Sequence, residues 1–236
     1  MINNFIIENK ICCLESIPEA MNKIVIYCHG FGESKERITQ HNEVLNKNNI
    51  GIISFDFPCH GNDLSDDDCF GLSNSILYLN KVIEYVKNNY NVAICLMGSS
   101  FGGYIILSRI NNIDEKFDKV FLKFPAVNFF ECTKRRLKID FDYFENNNYY
   151  VFNNGRKMCK NSFAEFSNDD LMKSFNKHNN EIFIIHGDLD KTVLIEDVKF
   201  FCEKYDISLD IIIGAGHGMK DYLDVVNEKM IKVLKK

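Results

Sequence analysis

The 236-residue chain has no tryptophan and only three prolines. With 13 glycines besides, it cannot be collagen-like or proline-rich, since those classes are dominated by these two residues. No apolar run approaches the roughly 18 residues that a membrane helix needs, so no membrane span is expected. A basic excess is missing too: 28 Lys and Arg stand against 33 Asp and Glu, for a formal charge of -5. Duplex-binding surfaces rely on such an excess, and no nucleic-acid partner is expected. The one dense basic run, Lys134-Arg135-Arg136 with Lys138, is answered by Asp140, Asp142 and Glu145 and reads as a solvated face. None of the nine cysteines forms a Cys-x-x-Cys pair, which removes the usual signature of a redox dithiol or a zinc knuckle. Cys28 and Cys95 lie in apolar runs and read as small buried hydrophobes. The start Met1-Ile2-Asn3-Asn4 lacks the basic-then-apolar order of a signal peptide, and a reduced cytoplasmic setting is the expectation.

What is present is a large apolar complement. Phe 20 and Tyr 10 are too much surface to leave in water, so the chain folds around a core. Its length suits one domain with a small insertion. Short apolar runs alternate with longer amphipathic ones. Residues 5–7 and 11–14 predict a leading hairpin. Lys23–Cys28 is an uninterrupted β-branched run that suits a strand covered on both faces; buried strands are also expected at Ile50–Phe55 and Val92–Met97, and further strands at Lys119–Phe124, 182–186 and 208–213. Helices are expected at 35–48, 72–88, 103–112, 193–205 and 219–234; in the second, Leu72, Ile76, Leu79, Ile83 and Val86 recur at helical spacing. This alternation predicts an α/β fold: a mostly parallel eight-stranded sheet with helices on both faces.

Residues 126–178 break the rhythm, dividing a core of 1–125 and 179–236. Ten aromatics fall between Phe129 and Phe166, a third of all Phe and Tyr. So long a connection without regular structure would be unusual, and an inserted cap of helices or a short hairpin is expected. Its aromatics could glue it to the core or wall a pocket at the strand ends. Phe129 and Phe130 are the pocket candidates from this segment.

Gly98-Ser99-Ser100-Phe101-Gly102 is a G-x-S-x-G pattern placed where a buried strand gives way to a helix. That context matters, because a serine on so sharp a turn adopts strained dihedrals and needs small neighbours. Ser100 is the expected nucleophile; Ser99 points elsewhere. A serine needs a base, and the base needs an orienting carboxylate. Of six histidines, His41 lies in a polar helical stretch and reads as surface, His60 in a loop and His178 in a polar linker. His29 and His186 sit at strand ends as structural hydrogen-bonders. His217, in Gly214-Ala215-Gly216-His217-Gly218 beyond the last strand, is the expected base. The acid is Asp188 or Asp190 of His186-Gly187-Asp188-Leu189-Asp190; Asp190, further out, can curl back towards the last loop and is preferred. No metal-ligand cluster, phosphate loop or dinucleotide fingerprint appears, so no metal or cofactor is expected.

These motifs together resemble the α/β-hydrolase superfamily, over about residues 22 to 235. They include His29-Gly30-Phe31-Gly32, the loop Asp56 to Ser65 and the two segments just described. The loop is similar to the D-x-x-G-H-G-x-S of soluble esterases and monoacylglycerol-lipase-like members, with Cys59 where glycine is usual and a longer spacing before Ser65. The resemblance implies a Ser100–Asp190–His217 triad with Asp188 as a turn-former. It also implies an oxyanion hole from the backbone N–H groups of Phe31 and Phe101, whose side chains could line the acyl pocket. The subgroup most resembled is small serine esterases, cinnamoyl-type and general carboxylesterases, with a short insertion after the sixth strand. The implied function is hydrolysis of a small-molecule carboxylic ester. Peptide or thioester cleavage on the same fold, or ligand binding without catalysis, are the alternatives. Nothing in the sequence fixes an oligomeric state.

Overall fold

The computed structural model describes residues 1–62, 70–152 and 155–236. The acidic cluster Asp66–Asp68, the end of the motif loop at Asp63-Leu64-Ser65, and Cys69 lie outside the described residues.

Asn3–Ile7 (β1) and Ile11–Ser16 (β2) form the leading hairpin, and Lys23–Cys28 (β3) follows. A short 3-10 helix, Lys35–Gln40, and Asn42–Asn46 (α1) lead to Ile50–Phe55 (β4). Leu72–Asn89 (α2), Ala93–Ser99 (β5), Phe101–Asn112 (α3) and Val120–Lys123 (β6) come next. After β6 the chain makes an insertion. It consists of Phe129–Leu137 (α4), a 3-10 turn at Phe141–Glu145, the small hairpin Tyr149–Val151 (β7) with Lys157–Cys159 (β8), and Lys160–Asn168 (α5). Ile182–Gly187 (β9), Ile195–Tyr205 (α6), Ser208–Ile212 (β10) and Leu223–Leu234 (α7) complete the chain.

The sheet has eight strands in the order β1-β2-β4-β3-β5-β6-β9-β10. β1, β2 and β4 pair antiparallel, and every pairing from β4 to β10 is parallel. The β-branched run of β3 shows why the middle strands lack alternation. Ile24 and Ile26 face the core shared with α2, α3 and α6, while Val25 and Tyr27 face the core shared with α1 and α7. Both faces are covered, so both sets of side chains must be apolar.

The insertion has its own aromatic centre. Phe130, Phe141 and Phe144 surround Phe163, with ring centroids 4.9 to 5.2 Å apart. Phe129 and Phe166 instead pack on Phe101 and Tyr104 of α3 and fasten the segment to the sheet side. Among the described residues, no helix is long and apolar enough to cross a membrane.

Candidate active site

β5 ends at Ser99 and α3 begins at Phe101, leaving Ser100 alone at the turn with φ +49° and ψ -112°. That is a strained conformation for a residue with a Cβ. The flanking glycines are explained by contact. A Cβ on Gly98 would lie 2.7 Å from the Gly103 nitrogen, and one on Gly102 would lie 2.2 Å from the Cys28 carbonyl oxygen. Only glycine lets the turn close this tightly against β3. Ser99 does point elsewhere: its hydroxyl lies 2.8 Å from that of Tyr27, in the core shared with α1 and α7.

His217 stands on the loop after β10 with Nε2 3.0 Å from the Ser100 hydroxyl. Its Nδ1 lies 2.7 Å from Asp190 Oδ2. Asp190 is buried, and its Oδ1 accepts the N–H groups of Thr192 at 2.8 Å and Val193 at 3.0 Å. Burial alone would raise this carboxyl, but the His217 hydrogen bond and charge, with the two N–H groups, hold it below its ordinary value. Asp188 is a turn residue that accepts the Gly214 N–H at 2.6 Å. The Leu189 N–H donates to the Ala215 carbonyl at 2.9 Å, so the acid-bearing and histidine-bearing loops are laced together. Ser100, Asp190 and His217, distant in sequence, therefore meet in one hydrogen-bonded line.

The loop after β3 passes over this line. A Cβ on Gly30 would lie 3.6 Å from the Ser100 Cβ. The Gly30 N–H donates to Glu33 Oε2 at 3.0 Å, and the Glu33 Oε1 pairs with Arg37 at 2.7 Å. Among the described residues, the Phe31 N–H has no acceptor, and the Phe101 N–H opens α3, where no intrahelical acceptor exists. Buried His29 carries the loop: Nδ1 lies 2.8 Å from the Gly30 carbonyl oxygen, and Nε2 accepts the Phe57 N–H at 3.1 Å. Desolvation lowers its pKa. The imidazole is therefore neutral, with its proton on Nδ1, as the two bonds require. His186 is likewise buried, with Nε2 3.0 Å from the Val193 carbonyl and 3.4 Å from Asp190 Oδ2.

The next loop begins at Asp56, whose buried carboxylate accepts the Lys35 N–H and Nζ, each at 2.8 Å, and the Asn62 N–H at 3.0 Å. Cys59 has φ +62°, a left-handed conformation that accounts for the glycine usual at this place in the resembling loops. His60 is buried among the rings of His29, Phe31 and Phe70, with Nδ1 2.9 Å from the Pro58 carbonyl.

His41 is not on the surface. It is buried, with Nδ1 2.6 Å from Asn227 Oδ1 and Nε2 2.8 Å from the Nζ of buried Lys123. Burial lowers the Lys123 pKa from 10.5 to about 7, with Glu33 acting against it and Arg37 with it. Burial, and then the Lys123 charge, push His41 well below its usual range, so its neutral ring accepts from the amine. Phe124, next in the chain, packs its ring against His217 at 4.8 Å.

Two cavities meet at Ser100. One, of about 400 Å³, is walled by Phe31, Phe70, Phe129, Leu137, Tyr150 and Phe152. The other, of about 550 Å³, holds His217, Glu33, Arg135, Arg136 and Lys191. Of the aromatic pocket candidates, Phe31 and Phe129 line the first cavity. Phe101 does not: it is fully buried beneath it, against Phe57, Phe70 and Phe129. Phe130 does not either, since it turns into the insertion's own core against Phe163. Arg136 lines both cavities rather than a purely solvated face. The overlooked signal was helical spacing: Phe129, Cys132, Thr133 and Arg136 share one face of α4, and Phe130 lies off it.

A family model described as serine aminopeptidase, S33, matches residues 19–137, and one described as the prolyl oligopeptidase family matches residues 79–223. The chain belongs to the α/β-hydrolase superfamily. A sequence comparison with curated proteins gives no match. Among solved structures, this α/β-hydrolase is similar to Est1E from Butyrivibrio proteoclasticus (TM-score 0.79, 21% identity, 100% of this chain and 99% of the other). A second Est1E structure, with ferulic acid bound, gives a TM-score of 0.81 at 22% identity over 99% of this chain and 100% of the other. The monoacylglycerol lipase of Paleococcus ferrophilus follows with a TM-score of 0.73 and 16% identity, over 95% of this α/β-hydrolase and 98% of the lipase.

Proposed function

We propose that the chain is a serine carboxylesterase, hydrolysing esters of small to medium acyl or aromatic acids through an acyl-enzyme. The observation that carries this reading is the continuous line from Asp190 Oδ2 to His217 Nδ1, 2.7 Å, and from His217 Nε2 to the Ser100 hydroxyl, 3.0 Å. His217 takes the Ser100 proton as the oxygen attacks the ester carbonyl. Asp190 keeps the imidazole in the tautomer that can accept at Nε2 and stabilises the imidazolium that forms. The Phe31 and Phe101 N–H groups, which no acceptor among the described residues satisfies, are the donors for the developing oxyanion. His217 then protonates the departing alcohol, and a water activated by the same nitrogen releases the acid.

The aromatic cavity beside Ser100 favours an apolar acyl group over a peptide, whose backbone amides would need polar partners there. The ferulic acid held by Est1E makes an aromatic acid a natural first choice. The peptidase names of both family models keep peptide cleavage as the competing reading. A panel of p-nitrophenyl esters of increasing acyl length, run beside peptide and thioester substrates and with fluorophosphonate labelling, tests the proposal. Labelling at Ser100 with ester turnover above peptide turnover is expected. The opposite ranking would move the chain to peptide hydrolysis, and absence of labelling would remove the nucleophile.

A further inference from the structure

We infer that the ester taken by this site carries an anionic group on its alcohol half, recognised by Arg136 with Arg135 and Lys191. This rests on the esterase reading, because it uses the direction of the reaction to tell the two cavities apart. The group that protonates the leaving alkoxide must stand beside it. His217 lines the 550 Å³ cavity and does not line the aromatic one, so the polar cavity receives the alcohol and the aromatic cavity the acyl chain.

The charges of that alcohol cavity are one-sided. Among the described residues, Arg135, Arg136 and Lys191 line it, against the single carboxylate of Glu33. Glu33 is already engaged, by Arg37 at 2.7 Å and by the Gly30 N–H at 3.0 Å. Among the described residues, none of the three cations forms an ion pair, although Arg135 donates to Cys132 Sγ at 3.6 Å. Their neighbour Lys134 shows the contrast, since it pairs with Asp140 at 2.8 Å. Arg136 instead falls on the helix face of Phe129, Cys132 and Thr133, which looks into the cavities. Arg135 donates to the Thr192 carbonyl at 3.4 Å, tying α4 to the loop that follows Asp190. Two separate segments thus deliver cations to one rim, in a chain whose formal charge is -5. A patch of sign opposite to the whole, around a concave site, concentrates anions there.

The test uses two matched pairs of esters. In the first, 4-carboxyphenyl butyrate is compared with 4-carbamoylphenyl butyrate, which differ only in charge on the alcohol half. In the second, the phenyl monoester of glutaric acid is compared with phenyl 4-carbamoylbutanoate, which differ only on the acyl half. The reading is the ratio of kcat/KM, anionic over neutral, in the wild type and in Arg136→Gln. Intrinsic reactivity of each ester cancels between the two proteins. The first ratio should fall by about tenfold in Arg136→Gln, the loss expected for one partly exposed charge-assisted contact. Lys191→Gln should lower it by a few fold, and raising the ionic strength should lower it in the wild type because the charges are screened. The second ratio should be unchanged in Lys191→Gln, because Lys191 lines the alcohol cavity alone whereas Arg136 lines both; a fall there equal to that of the first ratio would also overturn the inference. An unchanged first ratio, or a loss confined to the acyl pair, would overturn the inference while ester hydrolysis stands. No turnover of any of the four esters, nor of p-nitrophenyl butyrate, would sink the esterase reading and the inference with it.

Discussion

Replacing Lys123 with methionine should stabilise the protein at neutral pH and remove a pH dependence that the wild type carries. The amine is fully buried between Tyr27, Phe124 and His41, and burial, with Glu33 acting against it and Arg37 with it, lowers its pKa from 10.5 to about 7. Above pH 10.5 the group is neutral folded and unfolded, and burial carries no charge penalty. Between there and about pH 7 the unfolded chain holds a proton that the folded chain does not. Stability therefore falls with falling pH, by at most about 1.4 kcal/mol per pH unit, and the difference is constant below about 7. Over the whole interval this amounts to at most about 5 kcal/mol. Against it stands the hydrogen bond to His41 Nε2, whose loss leaves a buried acceptor at about 1–2 kcal/mol. A net gain of about 2–4 kcal/mol at pH 7, vanishing or reversing by pH 10, is the expected result. Urea unfolding followed by far-UV circular dichroism at intervals from pH 7 to 10 measures it, since the chain has no tryptophan to report. A stability difference between variant and wild type that does not change with pH would refute the reasoning.

Ser100→Ala should reduce ester turnover by about 10⁴-fold or more in a folded protein, whereas Ser99→Ala should lose only about 1 kcal/mol of stability through its Tyr27 contact, both read from kcat and melting curves. Asp190→Asn should lower kcat by about 10⁴-fold, because the amide no longer fixes the His217 tautomer, while Asp188→Asn should leave turnover close to wild type; the reverse ranking in folded samples would move the acid to Asp188. Shortening the insertion to a polar linker should flatten the rise of kcat/KM with acyl length, about 0.8 kcal/mol per CH₂ while the cavity fills, because Phe129, Leu137, Tyr150 and Phe152 leave with it. An unchanged chain-length profile in a folded variant would show that these rings do not touch the acyl chain.

The sheet was readable because strands covered on both faces cannot hide: KIVIYC and IGIISF are apolar apart from Lys23 and Ser54, and they form β3 and β4 without a shift of boundary. The serine turn was readable because sterics forbid side chains at Gly98 and Gly102. His41 was misread because its burial depends on Asn227 and Lys123, partners far along the chain, while its sequence neighbours Gln40 and Asn42 are polar. Phe129 and Phe130 looked equivalent because adjacent helical residues differ by about 100° in direction, and composition does not say which direction meets the cavity. Arg136 was assigned to solvent with the rest of its basic run. A helix that lays one face on a pocket puts every third or fourth residue there whatever its charge.

The backbone at Ser100 also bears on how the protein should respond to selection. A residue held at φ +49° and ψ -112° keeps its strain for as long as it keeps a Cβ, at roughly 1–3 kcal/mol. Glycine at that position would release the strain and erase the hydroxyl together. Heat tolerance and turnover therefore pull this one codon in opposite directions. A library sorted for heat resistance alone should enrich glycine at position 100, and a hydrolase improved in that way would be a dead one.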